Sequence, residues 1–201
     1  MNFNTFYSDN FYFFTNKLTE QNKQNLIKFK NISIIYEESS TLNNNKELLK
    51  IIKFCKENKI KVYVKDNIRT ANKFNLNGVF LSGSNKIPIL NCNSNLKINF
   101  KIIGSAHNQI EYFFKKRQSC EDIFLSPVFE NVKYKQTQIL KINKFNLISK
   151  EWKCNLFALG GINSLNIKKI FITQSKGIGF MSFVNDLKIK KPVYFFNRRA
   201  F

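Results

Sequence analysis

The residues of this chain best suited to binding chemistry lie in its last quarter. Ala158-Leu159-Gly160-Gly161-Ile162-Asn163 places paired glycines directly after a short apolar run. Lacking side chains, Gly160 and Gly161 let the backbone approach an anion closely and donate N–H groups to it. Ser164 stands where it would cap a following helix, whose N-terminus adds partial positive charge. Met181-Ser182 ends the next apolar run and supplies further N–H groups and a hydroxyl. Together these residues predict a cup for a phosphate group, with a plain Gly-Gly turn as the alternative. Asp66 follows the run 61–64 and is a candidate metal or ligand carboxylate, or else a helix cap. His107 is the sole histidine, so any histidine acid–base chemistry would have to use it. Packing or capping at a helix start is the competing role.

Such residues need a folded frame, and the composition supplies one. The chain has 201 residues, 43% of them hydrophobic and 15% aromatic, which excludes a disordered chain and allows one domain over 1–201. No apolar run approaches the ~20 residues needed to span a membrane. Residues 1–14 are aromatic but include Asp9 and lack a basic region, unlike a signal peptide. Cys55, Cys92, Cys120 and Cys154 are scattered, which suits reduced thiols in a cytoplasmic protein rather than disulfides or a zinc site. The net charge of +20 raises nucleic-acid binding as a function. Against it, arginine occurs only at Arg69, Arg117, Arg198 and Arg199, and the lysines are spread along the chain. An excess of Lys, Asn, Ile and Phe is also what A/T-rich codons produce. Lys188, Lys190, Lys191, Arg198 and Arg199 form the one local basic cluster, read as a solvated tail.

Short β-branched and aromatic runs alternate with amphipathic stretches, the pattern of a parallel βα fold. Strands are expected at 11–14, 32–36, 61–64, 78–81, 98–103, 122–125, 156–159 and 178–181. Several are continuously apolar, as strands buried on both faces should be. Helical stripes are expected from Leu48, Leu49, Ile52 and Cys55, from Ile110, Phe113 and Phe114, and from Ile167, Ile170 and Phe171. Residues 42–45 and 91–95 read as loops. Eight strands at this spacing predict a single (β/α)8 TIM barrel, with a doubly wound open sheet as the alternative. In such a barrel the paired glycines follow strand 7 and Met181-Ser182 follows strand 8, where phosphate commonly binds.

Five segments in order resemble the thiamine-phosphate synthase/TenI family. They are Val64-Lys65-Asp66 with Asn77-Gly78-Val79-Phe80-Leu81, Ile103-Gly104-Ser105-Ala106-His107-Asn108, Leu125-Ser126-Pro127-Val128-Phe129, Ala158 to Asn163, and Gly177 to Ser182. The resemblance implies a protein of thiamine biosynthesis that binds thiazole phosphate on the Gly-Gly and Met-Ser backbone. Synthases of the family join that ligand to a pyrimidine diphosphate and release pyrophosphate, with Mg²⁺ assisting. Carried over by position, Asp66 matches a magnesium aspartate and Ser105 the serine of strand 5. Asn85 stands near the second metal aspartate's place. The motif Q-x-R-x-K maps to Ile34, Tyr36 and Glu38, with both cations lost. After strand 6 stand Asn131, a ligand-binding candidate, and Lys133, Tyr134 and Lys135; Lys65, Lys133 and Lys135 are candidates to restore the charge. The TenI-type branch resembles Leu81-Ser82-Gly83-Ser84 and Val128-Phe129-Glu130, but its catalytic histidine falls at Pro127.

Three functions follow as expectations. The first is a synthase-like transferase with altered diphosphate handling. The second is a TenI-like or degenerate relative that binds thiazole phosphate or thiamine phosphate without that chemistry. The third, a nucleic-acid-binding protein, is the weakest.

Overall fold

Side chains along a barrel strand point alternately to the interior and to the surrounding helices. Two apolar clusters result, and the chain sorts its residues between them by a period of two. The computed structural model describes residues 10–29, 31–38, 44–88, 96–130 and 138–181. In chain order the strands are β1 Asn10–Thr15, β2 Ile32–Tyr36, β3 Lys61–Lys65, β4 Gly78–Leu81, β5 Lys101–Ala106, β6 Asp122–Leu125, β7 Asn155–Leu159 and β8 Gly177–Phe180. Each pairs in parallel with the next, and β1 pairs with β8, so the sheet is a closed (β/α)8 barrel. The open-sheet alternative is excluded.

The interior belongs to Tyr12, Phe14, Ile35, Tyr63, Phe80, Ile103, Phe124 and Phe157, with Leu159 against them. Aromatic rings do most of the filling and meet edge to face, the arrangement their quadrupoles favour. Phe14 and Phe80 have centroids 5.1 Å apart at 85°, and Tyr12 and Phe124 5.2 Å apart at 89°. The alternate residues, among them Phe13, Ile34, Tyr36, Val64, Leu81, Ile123 and Ala158, face the outer layer. So much ring volume leaves no room for inward side chains on β8. A Cβ at Gly179 would lie 2.8 Å from the rings of Phe14 and Phe124 and 2.9 Å from Leu159.

The outer layer holds α1 Glu20–Leu26, α2 Asn44–Glu57, α3 Ile68–Lys73, α4 Gln109–Arg117 and α5 Lys141–Glu151. Between β7 and β8 stands a 3-10 helix, Ile167–Ile172. Thr19, Asn67 and Asn108 cap α1, α3 and α4 through side-chain oxygens that accept N–H bonds. At the N-terminal end of the barrel, Asp122 is ion-paired to Lys101 and accepts from Asn155 Nδ2 at 3.0 Å. Carboxylates at that end of a barrel serve stability. Among the described residues, no helix is long and apolar enough to cross a membrane.

Several expectations need correction. Strand 5 runs three residues later than 98–103, because Asn99 turns at φ +69° and Ile98 is 89% exposed. Helix α2 begins inside the expected loop 42–45, and its buried face is Leu48, Ile51 and Cys55, with Leu49 outside. On α4, Ile110 and Phe113 are mostly exposed, and Tyr112 and Lys115 are buried instead. Trp152 packs as expected, stacked on Tyr112 at 4.3 Å and donating to Gln109 Oε1 at 2.5 Å. Residues 91–95, Cys92 and the C-terminal basic cluster lie outside the described residues.

The ring-filled interior makes the β8 glycines structural. Replacing Gly179 with Ala forces two rings apart and should cost about 1–3 kcal/mol, the usual range for overpacking. Urea denaturation should register this as a lower midpoint with an unchanged slope.

Candidate functional site

The mouth of the barrel can be read by stepping two residues up from the inner ring. Above Ile35, Tyr63, Phe80, Ile103 and Phe124 come Glu37, Lys65, Ser82, Ser105 and Ser126, each within or one residue past its strand, from β2 to β6 in turn. Above Leu159 comes Gly161. The rings of Phe14 and Phe80 therefore form the floor, and the rim is polar. Burial raises the phenol pKa values of Tyr12 and Tyr63, that of Tyr63 to about 12, so both stay protonated near neutrality.

The glycine loop after β7 has consecutive positive φ values, +93° at Gly160 and +69° at Gly161. Neighbouring backbone explains the second glycine. A Cβ there would lie 2.5 Å from the carbonyl oxygens of Phe129 and Glu130. Val128 N–H donates to Leu159 O at 3.0 Å and Phe129 N–H to Gly160 O at 3.1 Å, fastening this loop to the one after β6. Among the described residues, no acceptor meets the N–H groups of Gly160 and Gly161. Extending the β7–β8 register by two sets Gly161 beside Met181, which is 47% exposed. Ser182 lies outside the described residues.

The expected cap at Ser164 is corrected. Asn163 Oδ1 accepts from Leu165 N at 2.9 Å and from Asn166 N at 3.2 Å. Asn166 Oδ1 accepts in turn from Asn163 N at 2.9 Å, and its Nδ2 donates to Gly161 O at 2.7 Å. Those N–H groups are consumed, and the six-residue 3-10 helix is too short to add an effective dipole. The cup is the glycine backbone itself.

Across the mouth, Lys65 Nζ donates to Glu37 Oε1 at 2.8 Å. The sequence mapping of Q-x-R-x-K is shifted by one residue in the structure. Ile34 and Tyr36 face the outer layer, and Glu38 turns outward to Asn67 and Thr70. The inward positions of β2 are Ser33 and Ile35, and Glu37 continues that face just past the strand's end. Glu37 was missed because an apolar run such as Ile32-Ser33-Ile34-Ile35-Tyr36 does not reveal which face is inside; the inner ring's register does.

Asp66 sits at φ +53° at the end of β3. Its Oδ1 accepts from Ser82 N at 2.8 Å and from Asn85 Nδ2 at 2.9 Å. Asn85 is fixed in turn: its Oδ1 accepts from Ile87 N at 3.1 Å and Gln118 Nε2 at 3.2 Å. Lys115 Nζ donates to Asn85 O at 2.6 Å and to Gln118 Oε1 at 2.9 Å. This lysine is fully buried, and burial lowers its pKa against the pull of Cys120, Asp66 and Glu111. Gly104 makes room for its stem, since a Cβ there would lie 2.8 Å from Lys115 Cδ.

This donor set does not fit a two-ligand magnesium site. Asn85 presents its NH2 group, not its oxygen, to Asp66, and no cluster of three metal-binding residues exists among the described residues. Ser105 is buried on the inward face, and its hydroxyl has no partner among the described residues. His107 does not cap α4; Asn108 does. Its Nδ1 lies 2.8 Å from Glu111 Oε2, under the turn at Gly83. Burial raises the thiol pKa values of Cys55 and Cys120 to about 12 and of Cys154 to about 11, which makes them unreactive. Asn131, Lys133, Tyr134 and Lys135 lie outside the described residues.

A closed (β/α)8 barrel with an open glycine loop after β7 defines a barrel protein with its candidate site at the C-terminal mouth. Residues 15–184 match the family model described as thiamine monophosphate synthase (TMP-TENI), and the chain belongs to that family. It is similar to the thiamine-phosphate synthase of Prochlorococcus marinus strain MED4, 29% identical over 76% of this chain and 42% of that one. It is 27% identical to the thiamine-phosphate synthase of Clostridium acetobutylicum over 73% of this chain and 69% of that one. The match thus spans about two fifths of the Prochlorococcus protein's length. In fold it is similar to the thiamine phosphate pyrophosphorylase of Pyrococcus furiosus, with TM-score 0.70, 17% identity and coverage of 92% and 90%.

The Asp66–Asn85 bond leads to a measurable expectation. Mg²⁺ should leave the melting temperature of the wild-type protein unmoved. Asn85→Asp should melt lower without metal, because two carboxylates then face each other, and should recover when Mg²⁺ is added.

Proposed function

We propose that this barrel binds thiazole phosphate, with the phosphate on the N–H groups of Gly160 and Gly161, as a cytoplasmic protein of thiamine biosynthesis. The observation that carries this is the pair of consecutive positive-φ glycines whose N–H groups have no acceptor among the described residues. Met181 and Ser182 complete the cup in this reading, and the positive charge of the whole chain favours recruitment of an anion. The thiazole ring would rest over the floor formed by Phe14 and Phe80.

The finer activity is coupling of thiazole phosphate to the hydroxymethylpyrimidine diphosphate. The bond from the pyrimidine methylene to oxygen breaks, its electron pair leaving with the diphosphate. The thiazole nitrogen lone pair then forms the new C–N bond. Lys133 and Lys135 are the cations proposed to steady the departing charge, joined by Lys65 only where it is released from Glu37, with Ser105 and Asn131 lining the ligand. Mg²⁺ would be offered one oxygen of Asp66, the one not bonded to Ser82 and Asn85. A second reading, binding without coupling, is favoured by Glu37, which engages Lys65, and by the amide of Asn85 in a carboxylate's place.

Calorimetric titration with thiazole phosphate should give saturable binding, weakened at least tenfold by Gly161→Ala with an unchanged far-ultraviolet spectrum. No binding by the wild-type protein would remove the proposal. Incubation with both substrates and Mg²⁺ then separates the two readings, since only coupling yields thiamine phosphate.

A further inference from the structure

On the β2–β3 side of the mouth, a carboxylate holds the one ammonium group among the described rim residues. Glu37 rises from the inward face of β2 and Lys65 from that of β3, joined at 2.8 Å. The side chains are 25% and 37% exposed, so bulk water screens the pair only in part. Asp66 follows directly, its carboxylate fixed by Ser82 and Asn85. Ser33 and Ile35 complete the inward face of β2, which therefore offers no cation. Among the described rim positions of β2 to β6, Lys65 is the only ammonium, and it already serves a carboxylate. An anion arriving there would have to detach Lys65 and then lie beside Glu37. The glycine cup has the opposite character, with N–H groups and no carboxylate in its backbone.

We propose that Glu37 is a specificity-determining residue: by holding Lys65, it makes the β2–β3 side of the mouth reject a diphosphate and accept an uncharged or cationic ring. The ligand class that fits both sides is a phosphomonoester whose far end is a neutral or positively charged heteroaromatic ring. This deepens the proposed function and rests on it for the phosphate end. The Glu37 effect itself can be measured apart from the cup.

Inorganic pyrophosphate, titrated calorimetrically with and without Mg²⁺, is the probe for the full chain. Glu37→Gln and Glu37→Ala, which both release Lys65, should each bind it at least tenfold more tightly than wild type. Adding Lys65→Met to Glu37→Gln should abolish that gain. Equal pyrophosphate affinity in wild type and both single variants overturns the proposal. A gain that survives Lys65→Met overturns it too, because Lys65 is then not the group that Glu37 restrains. Thiazole phosphate titrated into wild type reads the glycine cup alone, so its failure to bind removes the proposed function while pyrophosphate still judges Glu37.

Discussion

A barrel of eight parallel strands must fill its own interior, and here aromatic rings do it. Interiors of this kind are more often packed with branched aliphatic side chains. Tyr12, Phe14, Tyr63, Phe80, Phe124 and Phe157 occupy the space instead. Rings are large and rigid, so one strand has to yield, and β8 does so with glycine at its inward positions. The same filling raises the floor of the mouth. Charged groups are confined to the rim and the loops above it, because none can be seated deeper without displacing a ring, and the buried phenols of Tyr12 and Tyr63 stay protonated.

That confinement gives the rim its division of labour. At β7, polarity comes from backbone N–H groups, which need no side chain and survive drift in composition. Between β2 and β5 it comes from side chains, and these are mutually engaged. Lys65 serves Glu37, Asp66 serves Ser82 and Asn85, and Asn85 is clamped by Lys115 and Gln118. Lys115 couples the outer helix α4 to the turn after β4. Removing a fully buried ammonium's acceptors would leave it uncompensated, so the clamp and the turn are interdependent. The turn's shape is therefore set by the helix layer as much as by its own residues.

The barrel was legible in the sequence because closed parallel strands read as continuous apolar runs. Seven of the strands fall within a residue or two of their expected positions. Strand 5 does not, since Ile98 looks like the start of a strand but stands on a turn at Asn99. The glycine loop was legible through its composition, but its partner was not. Asn163, rather than Ser164, caps the turn, and an asparagine side-chain oxygen accepting from the N–H two residues on leaves no periodic signal. Glu37 escaped for a related reason. A one-residue shift in strand register turns every side chain to the other face, and the apolar run of β2 is compatible with either face inside. The stripe on α4 misled because Ile110 and Phe113 have the right spacing while Tyr112 and Lys115 are the buried pair.

The net charge of +20 is equally a poor guide to the site. If the lysines served ligand binding directly, they would gather where the barrel opens. Among the described rim positions of β2 to β6, Lys65 alone is basic, and a carboxylate holds it. Lys101 is bound to Asp122 at the opposite end of the barrel, and Lys115 is buried beneath the turn after β4. Most of the other described lysines are exposed, where they can attract anions from a distance but cannot choose among them. Selection falls to groups a few ångströms from the ligand. In the proposed reading, the glycine cup would favour the compact terminal group its N–H donors can surround, and Glu37 would penalise any second charge reaching across the mouth. Long-range attraction and short-range discrimination are thus assigned to different residues, and the composition reports only the first.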